Sequence, residues 1–194
     1  MSETRARIVT ATNELFRIHG YHGTSVSQIS QVAGATTGSI YHFFPGGKDE
    51  LTVVVIEETA AAYRQLFELI ADAADDVPSA FVDFFHGAAE VLVDNDYIDP
   101  CPIGTIAREV ASTNDPLRTA AGAAFDSWVG AATEFLIASG LSVGDARELA
   151  LVFVATVEGS FVVSRTLRSP EPLHAAAATF GSVVAQAHER NAVS

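Results

Sequence analysis

Residues 24–44 read TSVSQISQVAGATTGSIYHFF, and this stretch has the pattern of two short helices joined by a tight turn. The first helix is predicted over 25–33, where the apolar positions recur at helical spacing: Val26, Ile29, Val32 and Ala33. Gly34 follows, at the place where a helix end favours a residue that tolerates the left-handed conformation. Two helices around a tight turn form the unit with which many proteins read the major groove of DNA, although an ordinary αα-corner has the same pattern.

Capping signals indicate where both helices begin. Ser25 and Gln28 have the spacing of a capping box, in which each side chain accepts a hydrogen bond from the backbone N–H of the other residue. Either Thr36 or Thr37 can cap the second helix. The outer face of that helix carries small or hydrogen-bonding side chains and no acid: Thr37, Gly38, Ser39, Tyr41 and His42. Such a face is suited to contact with DNA.

The run from 24 to 51 resembles the helix-turn-helix of TetR-type transcriptional repressors. The resemblance lies in Thr24, Val26, Ile29, Ala33, Gly34, Gly38, Ser39, Ile40, Tyr41, Phe44, Lys48 and Leu51. FPGGKDEL at 44–51 and CPIG at 101–104 are similar to the subgroup that includes multidrug and lincomycin-resistance repressors. Two departures are visible: Lys48 lies four residues after Phe44 where most members have three, and Phe43 stands where many members have a histidine.

By position, the resemblance implies a set of DNA contacts and a mode of action. Phosphate contacts are implied for Ser25, Ser27, Tyr41 and Lys48. Base-edge contacts are implied for Thr37, Gly38, Ser39 and His42. The other implied DNA-binding residues are Gln28 and Thr36. The resemblance further implies a homodimer on a palindromic double-stranded operator. It also implies a small-molecule effector that tilts the helix connecting the N-terminal DNA-binding part of the chain, the head, with the C-terminal part, the body.

The composition predicts a soluble intracellular protein. The chain has 194 residues, of which 48% are hydrophobic, so a packed core is expected rather than disorder. A single cysteine excludes an internal disulfide and suits the cytoplasm. The N-terminal MSETRARIV has no signal-peptide core. The longest apolar stretch, 149–163, is interrupted by Glu158 and is too short to span a bilayer, so no membrane partner is expected.

The charge is distributed unequally along the chain. The net charge is −13, which at first argues against binding to nucleic acid. Residues 1–48, however, hold four basic residues against two acids, whereas 49–194 hold seven against 22. The sequence therefore predicts a weakly basic DNA-binding head on an acidic body. Arg5 and Arg7, at the start of the head, could either reach phosphate or be solvated.

The periodicity predicts an all-α fold of about nine helices. We call the predicted helix-turn-helix at 24–44 the reading unit. Outside it, helices are predicted at 3–19, 48–74, 79–93, 103–112, 116–139, 145–167 and 173–190. We expect a DNA-binding domain over 1–47 and a helical ligand-binding and dimerisation domain over 48–194, with 48–74 as the connecting helix. The last two helices are apolar nearly all round, which predicts packing against their twofold copies in a homodimer. The alternative is a central helix buried within one subunit.

Aromatic and acidic side chains of the body predict a ligand site between helices. The candidate residues are Phe81, Phe85, Glu90, Phe125, Trp128, Phe153 and Glu158. The aromatic residues would line the site, and a carboxylate would anchor a small apolar or cationic ligand. The alternatives are simple core packing for the aromatic residues and a partnered carboxylate for Glu158, with Arg165 or Arg108.

No enzymatic motif is present. The sequence contains neither GxGxxG nor GxxxxGK[ST], and no GxSxG. The six histidines are scattered, without metal-ligand spacing, so we expect no metal and no cofactor. A ligand-responsive regulator is therefore the favoured function. The alternatives are a helical sensor that does not bind DNA and, less favoured, a helical enzyme that uses Glu90 or Glu158.

Overall fold

The structure is a computed structural model that describes residues 3–98 and 101–192. In this part of the chain the regular elements are nine helices: α1 Glu3–His19, α2 Val26–Val32, α3 Thr37–Phe43, α4 Gly47–Ala73, α5 Val77–Asp94, α6 Pro102–Val110, α7 Asp115–Ala138, α8 Val143–Leu167 and α9 Glu171–Ala192. The predicted all-α fold and the predicted order of helices are confirmed.

The helices belong to two compact units. The N-terminal unit takes in 3–61 and 101–124, and therefore contains α1 to α3, the first half of α4, α6 and the start of α7. Its core is made by large apolar side chains with almost no exposed surface: Ile8, Phe16, Ile29, Ile40, Phe44, Leu51, Ile103 and Ile106. Burial of a stripe from each short helix supplies the stability that helices of this length lack in isolation.

The C-terminal unit takes in 62–98 and 125–192. In it α5 packs along α9, and α8 packs against both. Asp76 caps α5 by accepting a hydrogen bond from the backbone N–H of Ser79 at 2.8 Å. Its core is dominated by phenylalanine side chains from α4, α5, α7, α8 and α9.

The division at residue 48 stays a prediction. Contacts group α6 and the start of α7, residues 101–124, with the helix-turn-helix rather than with the rest of the predicted body. The predicted domains divide the chain by expected function, whereas the compact units divide it by contacts between residues.

The predicted apolar stripe of α2 is buried only in part. Val32 belongs to this stripe but is 53% exposed, whereas Ile29 and Ala33 are buried. Successive helical residues are about 100° apart around the axis, so a direction between Ile29 and Ala33 leaves Val32 at the edge of the stripe. Because α2 has only seven residues, about two turns, it buries only the side chains that point directly between Ile29 and Ala33.

Helix α8 is unusually apolar. By length and composition it is the one helix in the described part of the chain that could cross a membrane, a test that core helices of soluble proteins also pass. Its buried face includes Phe153, Val157 and Phe161, and its N-cap Ser142 accepts a hydrogen bond from Asp145 N. One face of α8 is therefore packed in the core of its unit.

Candidate nucleic-acid interface

The start of α2 is fixed by the predicted capping box. Ser25 Oγ accepts a hydrogen bond from Gln28 N at 3.2 Å, and Gln28 Oε1 accepts one from Ser25 N at 2.8 Å. Both side chains are exposed. Two residues predicted to contact DNA therefore also hold the helix end in place.

The turn after α2 and the cap of α3 also follow the sequence signals. Gly34 adopts φ +58°, the left-handed conformation that glycine adopts without strain. The backbone N–H of Ala35 donates to Ser30 O at 3.0 Å, and Ser30 Oγ donates to Ala35 O at 2.6 Å. Of the two threonines, it is Thr36 that caps α3, accepting from Ser39 N at 3.0 Å. The two short helices are therefore held together by backbone and hydroxyl groups.

The predicted DNA-contacting residues lie close together on the surface around α2 and α3. Eight of them are exposed: Ser25, Ser27, Gln28, Thr36, Thr37, Gly38, Tyr41 and His42. Ser39 and Lys48 are half-buried. Ile40 and Phe44, on the opposite side of α3, are fully buried. The position of the hydroxyl-rich face outside the core leaves it accessible to DNA, but each individual contact stays a prediction.

Arg5 and Arg7 stabilise the unit from the α1 side. The Arg5 guanidinium lies 3.2 Å from Glu58 Oε1 and 5.4 Å from the centroid of the Phe44 ring. Arg7 Nε donates to the carbonyl oxygen of Ala33 at 3.2 Å, at the C-terminal end of α2. A guanidinium at a helix C-terminus satisfies carbonyls and complements the helix dipole. Both arginines therefore have partners within the protein, an arrangement that the sequence did not resolve.

Tyr41 packs against the turn formed by the PGG segment. Gly47 has φ +69°, and a Cβ placed there would lie 3.1 Å from Cε1 of Tyr41. The backbone N–H of Gly47 donates to Phe44 O at 2.8 Å, and Gly46 N donates to Glu50 Oε2 at 2.6 Å. Tyr41 as a whole remains 51% exposed. The glycine turn thus packs against the ring of Tyr41. It also leads directly into α4, whose second residue is Lys48.

Lys48 lies against residues that the sequence did not indicate. Its Nζ is 4.0 Å from the centroid of the Tyr21 ring, and the Tyr21 hydroxyl is hydrogen-bonded to Asp49. Asn114 Nδ2 donates to the other Asp49 oxygen at 2.9 Å. Tyr21 and Asn114 lie outside the reading unit, and their partners are 28 and 65 residues away, so local patterns carry no signal for them.

In the C-terminal unit, three of the predicted ligand residues meet in one cluster. The Phe153 ring lies 4.9 Å from that of Phe81 and 5.5 Å from that of Phe85, measured between centroids. The cluster also contains rings that were not among the candidates: Phe67, Phe84, Phe135 and Phe180. All three candidates are buried, so their packing is that of a core.

The other ligand candidates are more exposed. Phe125 and Trp128 are half-buried, and their ring centroids are 5.5 Å apart; Trp128 also lies 5.8 Å from Tyr63. Glu158 is half-buried in α8, and Glu90 is exposed on α5. The ligand role of all seven candidates stays a prediction. Tyr63 was absent from the candidate set, although the aromatic content of α4 could have indicated it.

Comparison with known proteins identifies the family. Residues 8–54 match the family model described as bacterial regulatory proteins, tetR family, and residues 78–179 match that of the transcriptional regulator LmrA/YxaF-like C-terminal domain. The HTH-type transcriptional regulator LmrA of Bacillus subtilis is 31% identical over 171 residues, which cover 88% of this chain and 91% of that protein. The uncharacterized HTH-type transcriptional regulator YxaF of the same organism is also 31% identical, with 88% and 90% covered.

Solved structures share the fold. The crystal structure of regulatory protein TetR from Rhodobacter sphaeroides has a TM-score of 0.83 at 24% identity, covering 93% of this chain and 98% of that one. A TetR transcriptional regulator from Chloroflexus aurantiacus has a TM-score of 0.79 at 27% identity, covering 95% of each chain. Family models, relatives and fold agree over both the helix-turn-helix and the C-terminal helices. The chain belongs to the TetR family of bacterial transcriptional regulators, with a DNA-binding helix-turn-helix and an LmrA/YxaF-like C-terminal domain.

Proposed function

We propose that this protein is a cytoplasmic, ligand-responsive repressor that binds a palindromic operator as a homodimer and is released by a small apolar or cationic effector. The observation that carries this proposal is the exposed, acid-free face of α3, which lies in the basic end of an otherwise acidic chain. Because the net charge of that end is only +2, each phosphate contact matters, and a single head would bind weakly. Two heads on one duplex supply the missing affinity.

The outer faces of α8 and α9 support the dimer. Along α8, Leu151, Val152, Val162, Val163 and Leu167 are all at least 40% exposed. In the middle of α9, from Ala175 to Gln186, the exposed residues are uncharged: Ala175, Ala178, Thr179, Ser182, Val183 and Gln186. The exposed charged residues of this helix, Glu171, Glu189 and Arg190, lie near its ends. An apolar surface of this kind on a soluble protein is typical of a permanent interface between subunits. We therefore place the twofold axis of the dimer between α8 and α9 of one subunit and the same helices of its partner.

The aromatic side chains of the C-terminal unit support an apolar effector. In this proposal the packed rings of Phe81, Phe85 and Phe153 rearrange around the ring system of the effector, and Phe125 and Trp128, which are half-buried, lie on its way from the surface. Glu158 is a carboxylate on a largely apolar helix, which would favour an effector that carries positive charge. Trp128 is the single tryptophan of the chain and would report binding by its fluorescence.

The proposed response depends on α4. This helix has 27 residues, a length of about 40 Å, and its residues contribute to both compact units. An effector that tilts α4 would change the separation of the two heads in the dimer. Half-sites on B-DNA are about 34–36 Å apart, so a change of a few ångströms would prevent both heads from binding at once. The effector needs a differential affinity of about 1–3 kcal/mol for the spread state.

The proposal is tested with the full-length protein and a random pool of DNA duplexes. We expect repeated selection to enrich a palindrome, which the protein then binds in a gel shift with an affinity that falls steeply with salt. Aromatic compounds with and without a cationic group are next screened for quenching of Trp128 and for release of that duplex. Failure to enrich any sequence would overturn DNA recognition. Compounds that quench Trp128 without releasing DNA would overturn the effector response.

A further inference from the structure

The turn between α1 and α2 is closed by a carboxylate from α6. The backbone N–H of His22 donates a hydrogen bond to Glu109 Oε2 at 2.8 Å. At Gly20, which has φ +71°, a Cβ would lie 2.0 Å from Glu109 Oε1. The carboxylate therefore fills space that exists because residue 20 has no side chain. The positive φ is a second, independent reason for glycine at this position.

The same turn determines where the reading unit begins. Thr24 is buried, and its Oγ1 donates a hydrogen bond to the carbonyl oxygen of Gly20 at 2.8 Å. The backbone N–H of Thr24 donates to Tyr21 O at 3.3 Å. Ser25, the next residue, caps α2. A displacement of residues 20–22 would therefore be passed directly to the N-terminal end of α2.

A second set of contacts links the α6–α7 connection to this turn. Asn114, which follows α6, donates to Asp49, and Asp49 in turn accepts a hydrogen bond from the Tyr21 hydroxyl. Tyr21 lies in the chain between Gly20 and His22, the two residues next to the Glu109 carboxylate. The Lys48 ammonium lies over the Tyr21 ring in a cation–π contact. Glu109 and Asn114 are five residues apart. Together they hold Tyr21 and, through its ring, the position of Lys48.

We propose that Glu109 is a positioning residue for DNA binding. From α6 it holds the Gly20–His22 turn in place, and the turn in turn positions the start of α2 and Lys48 for contact with the operator. The inference rests on the proposed function, because it concerns the affinity for the operator. Long-range charge predicts the opposite effect of removing this residue. An acid in the DNA-binding unit repels phosphate, so its loss alone would strengthen binding.

The test compares full-length variants on the duplex that the wild-type protein selects from a random pool. We expect Glu109→Ala to weaken binding by about tenfold, the scale of one hydrogen bond to a charged group. The slope of log K against log salt should become shallower by about 0.9 for each phosphate that the variant no longer neutralises. Glu109→Gln keeps an oxygen that accepts from His22 N–H and should restore most of the affinity. Glu57→Ala, which removes an exposed acid of the same unit, is the matched control and should bind as well as wild type or better.

Sedimentation and thermal unfolding of each variant separate a loss of positioning from a loss of structure. If Glu109→Ala does not fold, Asn114→Ala removes the second contact and should show the same weakening and the same change of slope. Glu109→Ala binding as tightly as wild type, or weakened with an unchanged salt slope, would overturn the inference. A wild-type protein that selects no duplex would instead overturn the proposed function.

Discussion

The ammonium nitrogen of Lys48 lies 4.0 Å from the centroid of the Tyr21 ring, within the range of a cation–π interaction. Lys48 is in the first turn of α4, where the helix dipole disfavours a cation. Burial lowers the pKa of Lys48, whereas the Asp49 and Glu109 carboxylates act in the opposite direction. The ring and the two acids thus hold a cation at a position that would otherwise disfavour it.

This arrangement predicts that Lys48 contributes a phosphate contact. Lys48→Ala should weaken binding to the selected duplex and lower the salt slope by about 0.9 for each head. Lys48→Arg keeps the charge over the ring and should keep the slope. The control is Arg118→Ala, which removes an equal charge from an exposed residue paired with Asp115 in the same unit. Equal slopes for Lys48→Ala and wild type would contradict the assignment.

The phenol of Tyr21 should ionise at a higher pH than a tyrosine in water. Burial, followed by the hydrogen bond to Asp49 and the charge of that carboxylate, raises the pKa of Tyr21 to about 12. Because the folded-state pKa lies above the ordinary value, near 10, the neutral phenol stabilises the fold below pH 10. That contribution is lost as the pH rises from 10 to 12.

Spectrophotometric titration of the phenolate, with Tyr21→Phe for comparison, measures this. The variant should lack the phenol titration near pH 12 and lose less stability between pH 10 and 12. Identical titration curves for the two proteins up to pH 12 would contradict the prediction.

Tyr41 should matter for DNA binding but little for folding. Its side chain is 51% exposed, so Tyr41→Ala should leave the dimer intact in sedimentation. A hydrogen bond to a charged phosphate contributes about 1.5–3 kcal/mol, and its loss should weaken the gel shift by about tenfold or more. Tyr41→Phe keeps the ring against Gly47 but lacks the hydroxyl, and should weaken binding nearly as much. Unchanged DNA affinity in both variants would refute the phosphate contact.

Phe153 should be a major source of stability in the C-terminal unit. It is 4% exposed and lies among the rings of Phe81, Phe84 and Phe180. Phe153→Ala should lower the free energy of unfolding by about 3–5 kcal/mol, because it removes apolar burial and leaves a cavity. Phe125→Ala, at a half-buried ring, should cost clearly less. Urea denaturation measures both changes, and equal losses would show that Phe153 is not central to this core.

Local patterns in the sequence were sufficient for the helices and for the ends of the reading unit. Ser25 and Gln28 form the predicted capping box because both partners lie three residues apart on one helix end. Gly34 has the predicted left-handed conformation because a glycine at a helix end adopts it without strain. These features depend on neighbours in the chain, and periodicity and residue type encode them directly.

Contacts between distant residues were not predictable in the same way. Glu109 lies 87 residues beyond His22, and no pattern near either residue indicates their hydrogen bond. Phe67 and Phe180 join the Phe153 cluster from helices that also carry other aromatic or apolar candidates, so the sequence could not rank them. The apolar stripe of α2 did not show that Val32 is exposed, because a seven-residue helix shows too little of its period to define the buried direction.

The predicted dimer surface can be tested with a matched pair of charges. Val163 on α8 and Val91 on α5 are each 47% exposed in a single subunit, so an aspartate at either site costs the isolated subunit a similar amount. If α8 and α9 form the interface, Val163→Asp buries an unpaired charge in the dimer, whereas Val91→Asp leaves its charge in water. The dissociation constant measured by sedimentation should rise by about tenfold or more for Val163→Asp, since each 1.4 kcal/mol is a factor of ten. Operator binding should fall with it, because one head is too weakly basic to bind alone. Dimers of equal strength in the two variants would place the interface elsewhere.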